Sequence, residues 1–307
     1  HPFKQIYMAC FFLLLCKKNE YRQKAISYFL IGWIVFAFYS LYLVTTGQFD
    51  TNVNEQGFGR VHYLMGINAN LHTVISSIGM TLFFEKLINS NSPTRILVFA
   101  GLTLVGLLIV FYGASRTGIL FLIACLVSIA VKYFFDKKHH GNLFLHRAKV
   151  ILLTLFSVLL GFYFITTSET SNLFYQSTIH RFEDTIEKDD YGDRNHLTFA
   201  TLKIVLENPL GVGWGNTDEM LGISAHNDYA RIFAEVGIMG GILLLIMVFI
   251  VVRNTLLWMK LPDNFGIGII MIFLLVRMAQ GSSLSERNFW FFLVLHALPP
   301  IKNAITK

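Results

Sequence analysis

The chain has 307 residues, 54% of them hydrophobic and only 14% charged, with a mean hydropathy of +0.55 and a formal net charge of +6. Soluble domains carry about 25% charged residues, so the composition excludes a disordered chain and argues against an ordinary soluble globule; a polytopic membrane protein remains. The basic balance does not point to nucleic acid, because the lysines and arginines lie in short segments between apolar runs rather than on one soluble face.

In chain order, nine candidate membrane segments are expected, over residues 2–16 (partial), 25–46, 64–84, 95–113, 116–135, 148–167, 229–252, 264–280 and 288–302. Most reach about 20 residues, or ~30 Å at 1.5 Å per residue; the last two are shorter. The fold class is therefore all-α and membrane-embedded. The chain begins with His1, and its first apolar run is too short to span a bilayer and lacks the order of a signal peptide. The expectation is a fragment that lacks N-terminal helices. Cys10, Cys16 and Cys125 all sit inside apolar runs, are odd in number and form no CxxC pair, so they read as small buried hydrophobes.

Charge sets the sidedness. One set of connections holds Lys17, Lys18, Arg22 and Lys24, then Lys86 and Arg95, Lys137, Lys138, Arg147 and Lys149, Arg253 and Lys260, and Lys302 and Lys307. Among its acids are only Glu20, Glu85, Asp136 and Asp263. The positive-inside rule makes this set, and the C-terminus, cytoplasmic. On the outer side one long connection stands out, residues 168–228, between the N-terminal helices (1–167) and the C-terminal ones (229–307). Such a long excursion is usually functional. It holds an acidic stretch from Glu183 to Asp193, then an amphipathic helix with Asp193 as its expected N-cap and Leu197, Ala200, Ile204 and Val205 at helical spacing. Pro209 ends that helix and opens a glycine-rich turn through Asn216.

The outer side should be poor in arginine, so its exceptions carry information. Arg60 precedes a membrane segment in Gly59-Arg60-Val61-His62-Tyr63-Leu64-Met65-Gly66, followed by Asn68 and Asn70. Arg116 opens a helix in Gly113-Ala114-Ser115-Arg116-Thr117-Gly118, where the macrodipole disfavours a cation by about 0.3–1 kcal/mol. A cation beside free backbone N–H groups suits a bound anion; snorkelling to lipid headgroups is the competing reading. Arg194 precedes the amphipathic helix, and His226 stands at the mouth of the next membrane helix. Arg60 and Arg194 can instead pair with outer carboxylates, and His226 can be an interfacial or capping histidine. Gly211, Gly213 and Gly215 are weak support for a phosphate cradle, because no strand precedes them. Asp189, Asp190 and Asp193 read as a solvated acidic loop rather than a divalent-ion site, and His139-His140 carries no signal.

Together these positions resemble the O-antigen ligase family, whose wider superfamily includes O-antigen polymerases and bacterial protein O-oligosaccharyltransferases. The signature of a His, then Asn, Ser or Gln, nine residues and Gly-x-x-Gly reads here as His226-Asn227, Asp228 to Val236, and Gly237-Ile238-Met239-Gly240. Arg194 with Asn208 to Asn216 resembles the family's R…PLxGVGxGN stretch, Ser115 to Gly118 its SRxG helix start, and Arg60 with Gly66, Asn68 and Asn70 an earlier element. The resemblance spans residues 57–300. It departs from the pattern at Leu197-Thr198-Phe199, where the family usually has a tryptophan.

The resemblance implies a twelve-helix GT-C-like bundle and a glycan donor on undecaprenyl pyrophosphate. The acceptor would be a sugar hydroxyl of lipid A–core at the periplasmic face of the inner membrane. No metal and no cofactor are expected, because pyrophosphate leaves as a stable anion and needs cations and N–H donors, which Arg116, Arg194 and Arg60 can supply. A histidine with a pKa of about 6.5 suits proton removal from a hydroxyl, so His226 is the candidate base in an inverting displacement. Asn227 can orient His226, cap its helix or touch substrate. Gly237, Gly240 and Gly241 are expected to let that helix pack closely on a neighbour. A polymerase or protein glycosyltransferase is the near alternative. A transporter of lipid-linked glycans is the alternative of a different class; it would place its ionisable groups near the bilayer midplane.

Overall fold

The structure, a computed structural model, describes residues 19–46, 50–53, 59–64, 67–112, 115–135, 190–225, 227–261, 264–279 and 287–299, with isolated helical positions at 148, 152, 155, 156, 159 and 163. The expected segments 2–16 and most of 148–167 lie outside the described residues, as do Cys10, Cys16, His139-His140 and Asp189. Among the described residues, the helices long and apolar enough to cross a membrane are Glu20–Thr45, Asn70–Asn89, Pro93–Val110, Thr117–Phe135 and Asp228–Trp258, with Phe265–Met278 a shorter apolar one. The chain is thus a helical, polytopic membrane protein.

It divides into two compact units. The unit of residues 25–183 contains most of α1 (Asn19–Thr45), then β1 (Asp50–Val53), β2 (Gly59–Leu64) and β3 (Ile67–Asn68), then α2 (Ala69–Asn89), α3 (Pro93–Tyr112) and α4 (Arg116–Phe135). The membrane part is helical as expected, and the small antiparallel sheet β1-β2-β3 is an addition to the all-α reading. The alternation of Arg60 and His62 with Val61 and Tyr63 has the period of two that strands require. Hence the helix expected from residue 64 begins at Ala69.

Helix α2 is the centre of this unit and packs on both α3 and α4. Its buried hydroxyls Ser76, Ser77 and Thr81 are satisfied locally. Ser76 donates to the His72 carbonyl, Ser77 to that of Thr73 and Thr81 to that of Ser77, at 2.9, 2.8 and 2.7 Å. Such back-bonding is what hydroxyls need where no water is available. Against α4, Ser77 also donates to the Gly118 carbonyl at 3.2 Å, and at the far end Tyr133 donates to Glu85 at 2.9 Å. The Trp33 ring of α1 occupies space that a Cβ on Gly79 or Gly106 would fill, and its Nε1 donates to the Ile75 carbonyl at 3.0 Å. Small residues here permit the close approach of helices that membrane packing relies on. Cys125 is a buried free thiol, as the sequence implied.

The other unit holds residues 19–24 of α1 with α5 (Asp190–Glu207), α6 (Asn216–Leu221), α7 (Asp228–Trp258), α8 (Phe265–Met278) and α9 (Arg287–Ala297). Helix α7 packs on α5, α8 and α9. The end of α9 leaves carbonyls without helical partners, and side chains complete them. Asn254 donates to Ala297 at 3.0 Å, Trp258 to Leu298 at 3.3 Å, and the buried Arg22 to Pro299 at 3.2 Å while lying over the Trp258 ring.

Candidate functional site

Helix α5 begins at Asp190, three residues before the expected cap, and ends before Pro209 as expected, with Arg194 in its second turn. The turn that follows is shaped by glycine. Gly211, Gly213 and Gly215 take φ of +91°, +94° and +84°, a region that costs other residues roughly 1–2 kcal/mol. The turn docks on a break in α7. Gly237, at φ +81° and ψ 178°, interrupts the helix, and the backbone groups freed there are taken up by the turn. Val212 N–H donates to the Ala234 carbonyl at 2.9 Å, Gly213 N–H to that of Glu235 at 3.0 Å, and Ile238 N–H to that of Pro209 at 3.0 Å. The two backbones touch: a Cβ on Gly211 would stand 2.6 Å from the Glu235 oxygen, and one on Gly237 2.5 Å from the Leu210 carbonyl carbon.

This arrangement bears on two readings. The amides of Gly211, Val212 and Gly213 are occupied by protein carbonyls, so these three are not available to a phosphate. The signature glycines do not open α7 to a neighbouring helix: Gly237 breaks it, and the spaces beside Gly240 and Gly241 are filled by Val236 and Phe233 from before the break.

Between the turn and α7 the chain is pinned on both sides of His226, which itself lies outside the described residues. Asp218 of α6 accepts from the Ala225 N–H at 3.2 Å. Asn227 is the N-cap of α7, its Oδ1 accepting from the Ala230 N–H at 3.1 Å. Of the readings open for Asn227, capping is therefore realised. One turn on, Arg231 donates to Glu235 at 2.8 Å. The Glu235 side chain is fully buried, and its Oε2 has no hydrogen-bond partner among the described residues. Asp218 and Asp228 add their negative charge around Arg231. Sequence reasoning missed Asp218, Arg231 and Glu235, although two opposite charges four apart inside an apparent membrane segment were a legible signal.

In the 25–183 unit, Arg60 lies in β2 opposite Asn52, and Arg116 is the first residue of α4. The side chains of Arg60, Arg116 and Arg194 lie outside the described residues. The structure does join two of the sequence elements: Ser115 donates to Asn70 Oδ1 at 2.9 Å and accepts from the Gly118 N–H at 3.4 Å. A side chain on Gly118 would collide with Thr73, so this glycine allows α4 to start against α2.

Residues 101–245 match the O-antigen ligase family model. The matched stretch takes in Arg116, Arg194, His226, Asn227 and the Gly237 break; Arg60 falls outside it. No curated protein and no solved structure matches the chain. Residues 101–245 thus form a domain similar to the O-antigen ligase family, whose enzymes are glycosyltransferase-like ligases and polymerases.

Proposed function

We propose that the protein is an O-antigen ligase: a metal-independent, inverting glycosyltransferase that moves a glycan from undecaprenyl pyrophosphate to a sugar hydroxyl of lipid A–core, with residues 168–228 on the periplasmic side of the inner membrane. The observation that supports it is the pinned segment around His226, inside the matched domain. Asp218 holds the chain at Ala225, and Asn227 caps α7. A histidine between two fixed neighbours suits a base that must meet a hydroxyl at hydrogen-bond distance.

In the proposed step the acceptor oxygen attacks the anomeric carbon as the bond to the pyrophosphate oxygen breaks. The hydroxyl proton passes to the imidazole of His226. Arg116 and Arg194 receive the charge that builds on pyrophosphate, and bidentate guanidinium contacts suit its oxygens. Arg60 is a further candidate for the same role. The Oδ1 of Asn227 is engaged in the cap, so its proposed substrate contact is through the amide nitrogen.

The test is His226→Ala in purified full-length protein. The expected outcome is a loss of transfer of about 10²–10⁴-fold, the usual worth of a general base, with unchanged thermal unfolding. Turnover equal to wild type would overturn the base assignment.

A further inference from the structure

The surface of α5 divides into three strips. Thr201, Ile204 and Val205 are buried, the last two against Ala234 of α7. His196, Lys203 and Glu207 form an exposed polar strip, with Lys203 and Glu207 3.8 Å apart. Between these lie Phe199, Leu202 and Leu206, spaced by three and four and all exposed, Leu206 by 82%. Beyond the helix end, Leu210 is 92% and Trp214 51% exposed. Single apolar residues on a surface need no explanation, but a continuous strip marks a place of contact.

Its position identifies the contact. The Pro209–Ile238 hydrogen bond and the approach of the Leu210 backbone to Gly237 fix the end of the strip at the break in α7. On one side of that break, Asp228 to Val236 carry Asp228, Arg231 and Glu235. On the other, no charged residue occurs from Ile238 until Arg253. The run from Ile238 to Trp258 is about 20 residues, or ~30 Å, one hydrocarbon thickness. It exposes Met239, Leu243, Ile246 and Phe249, as a lipid-facing helix does. A hydrocarbon boundary at Gly237 fits this length and this distribution of charge, and the backbone contact of Leu210 with Gly237 sets Leu210 at the same level.

We propose that the strip of Phe199, Leu206, Leu210 and Trp214 docks on the surrounding lipid bilayer, in the leaflet where α7 enters it, and continues the lipid-facing surface of α7. Helix α5 is then an interfacial helix locked to a spanning one: it buries one strip on protein, rests a second on lipid and keeps the third in water. The tryptophan at its end is the residue type that membrane interfaces favour. The glycine turn has a mechanical purpose in this arrangement, fixing the height of the capped segment that bears His226 above the bilayer.

The test uses the full chain in nanodiscs of phosphatidylethanolamine and phosphatidylglycerol, with no donor or acceptor present, so the result is independent of the ligase reading. Nitroxide labels are placed by Leu206→Cys, Leu210→Cys and, as a polar-strip control, Glu207→Cys, after replacement of Cys10, Cys16 and Cys125 by Ala. The expected result is an oxygen-to-nickel-chelate collision ratio severalfold higher at positions 206 and 210 than at 207. Equal ratios at the three positions would overturn the proposal in favour of a water-exposed strip. Low accessibility to both reagents at 206 and 210 would overturn it in favour of a protein cover. A second measurement needs no cysteine replacement. Acyl chains brominated near the headgroup should quench tryptophan emission less in Trp214→Phe than in the unaltered chain, and equal quenching would also overturn the proposal.

Discussion

At the scale of the residue, Asn227 holds two proposed duties that different substitutions separate. Its Oδ1 caps α7, and removing such a cap costs about 0.5–2 kcal/mol. Asn227→Ala should therefore lower the unfolding temperature in detergent. Asn227→Asp keeps an acceptor for the Ala230 N–H and should restore it. If the amide nitrogen also touches substrate, Asn227→Asp remains impaired in transfer while stable; wild-type transfer by this variant would reduce Asn227 to a cap. Arg231 and Glu235 permit a comparison of the same kind. Arg231→Ala leaves a carboxylate with no cation in a site closed to water, which costs about 3–5 kcal/mol in buried pairs. The 22% exposure of the Arg231 side chain places the expected loss at the lower end. The double variant Arg231→Leu with Glu235→Gln should recover part of it, and denaturant titration of the two proteins checks the order.

At the scale of the element, the break in α7 and the turn from Pro209 to Gly215 form one object. A helix interrupted at membrane level must find partners for the backbone groups it frees, and the turn supplies them with its own amides and the Pro209 carbonyl. The glycines differ in what they permit. Gly211→Ala meets both a left-handed φ and the Glu235 and Gly237 backbone, whereas Gly215→Ala meets the φ alone, with nothing within 4 Å of the new Cβ. The expected cost is about 1–2 kcal/mol at Gly215 and clearly more at Gly211, with separation of the turn from α7. Thermal unfolding of the two variants should show this order; equal losses would mean that the turn is not docked. The glycine pattern was plain in the sequence, but its purpose was not, because the partner of Gly211 lies more than 20 positions along the chain and only the folded turn brings them together.

At the scale of the whole molecule, the proposed reaction predicts what accumulates without it. Deletion of the full-length gene in its host should leave polymerised glycan on undecaprenyl pyrophosphate and bare lipid A–core, read by gel analysis of the surface glycolipids and of the carrier pool. Lipid A–core bearing a single repeat would assign the chain to the polymerases, and His226 would remain the residue to test. The proposed donor grip draws on Arg116 and Arg194, residues far apart in the chain.

Composition and the length of apolar runs were sufficient for the helical membrane class and for most helix positions, because burial in lipid is a property of each segment alone. The 116–135 helix was placed to the residue, and the His226-Asn227 spacing led to the matched domain. Three features were decided only by tertiary structure: the start of α2 after a small sheet, the break at Gly237, and the charges gathered around Arg231. Each depends on a partner distant in sequence. The sheet needs β1 to pair with β2, the break needs the carbonyls and amides of the 209–213 turn, and Arg231 needs Asp218 as well as its own helix neighbours. A hydropathy reading weighs each residue by its own transfer free energy, so pairings of this kind do not register in it.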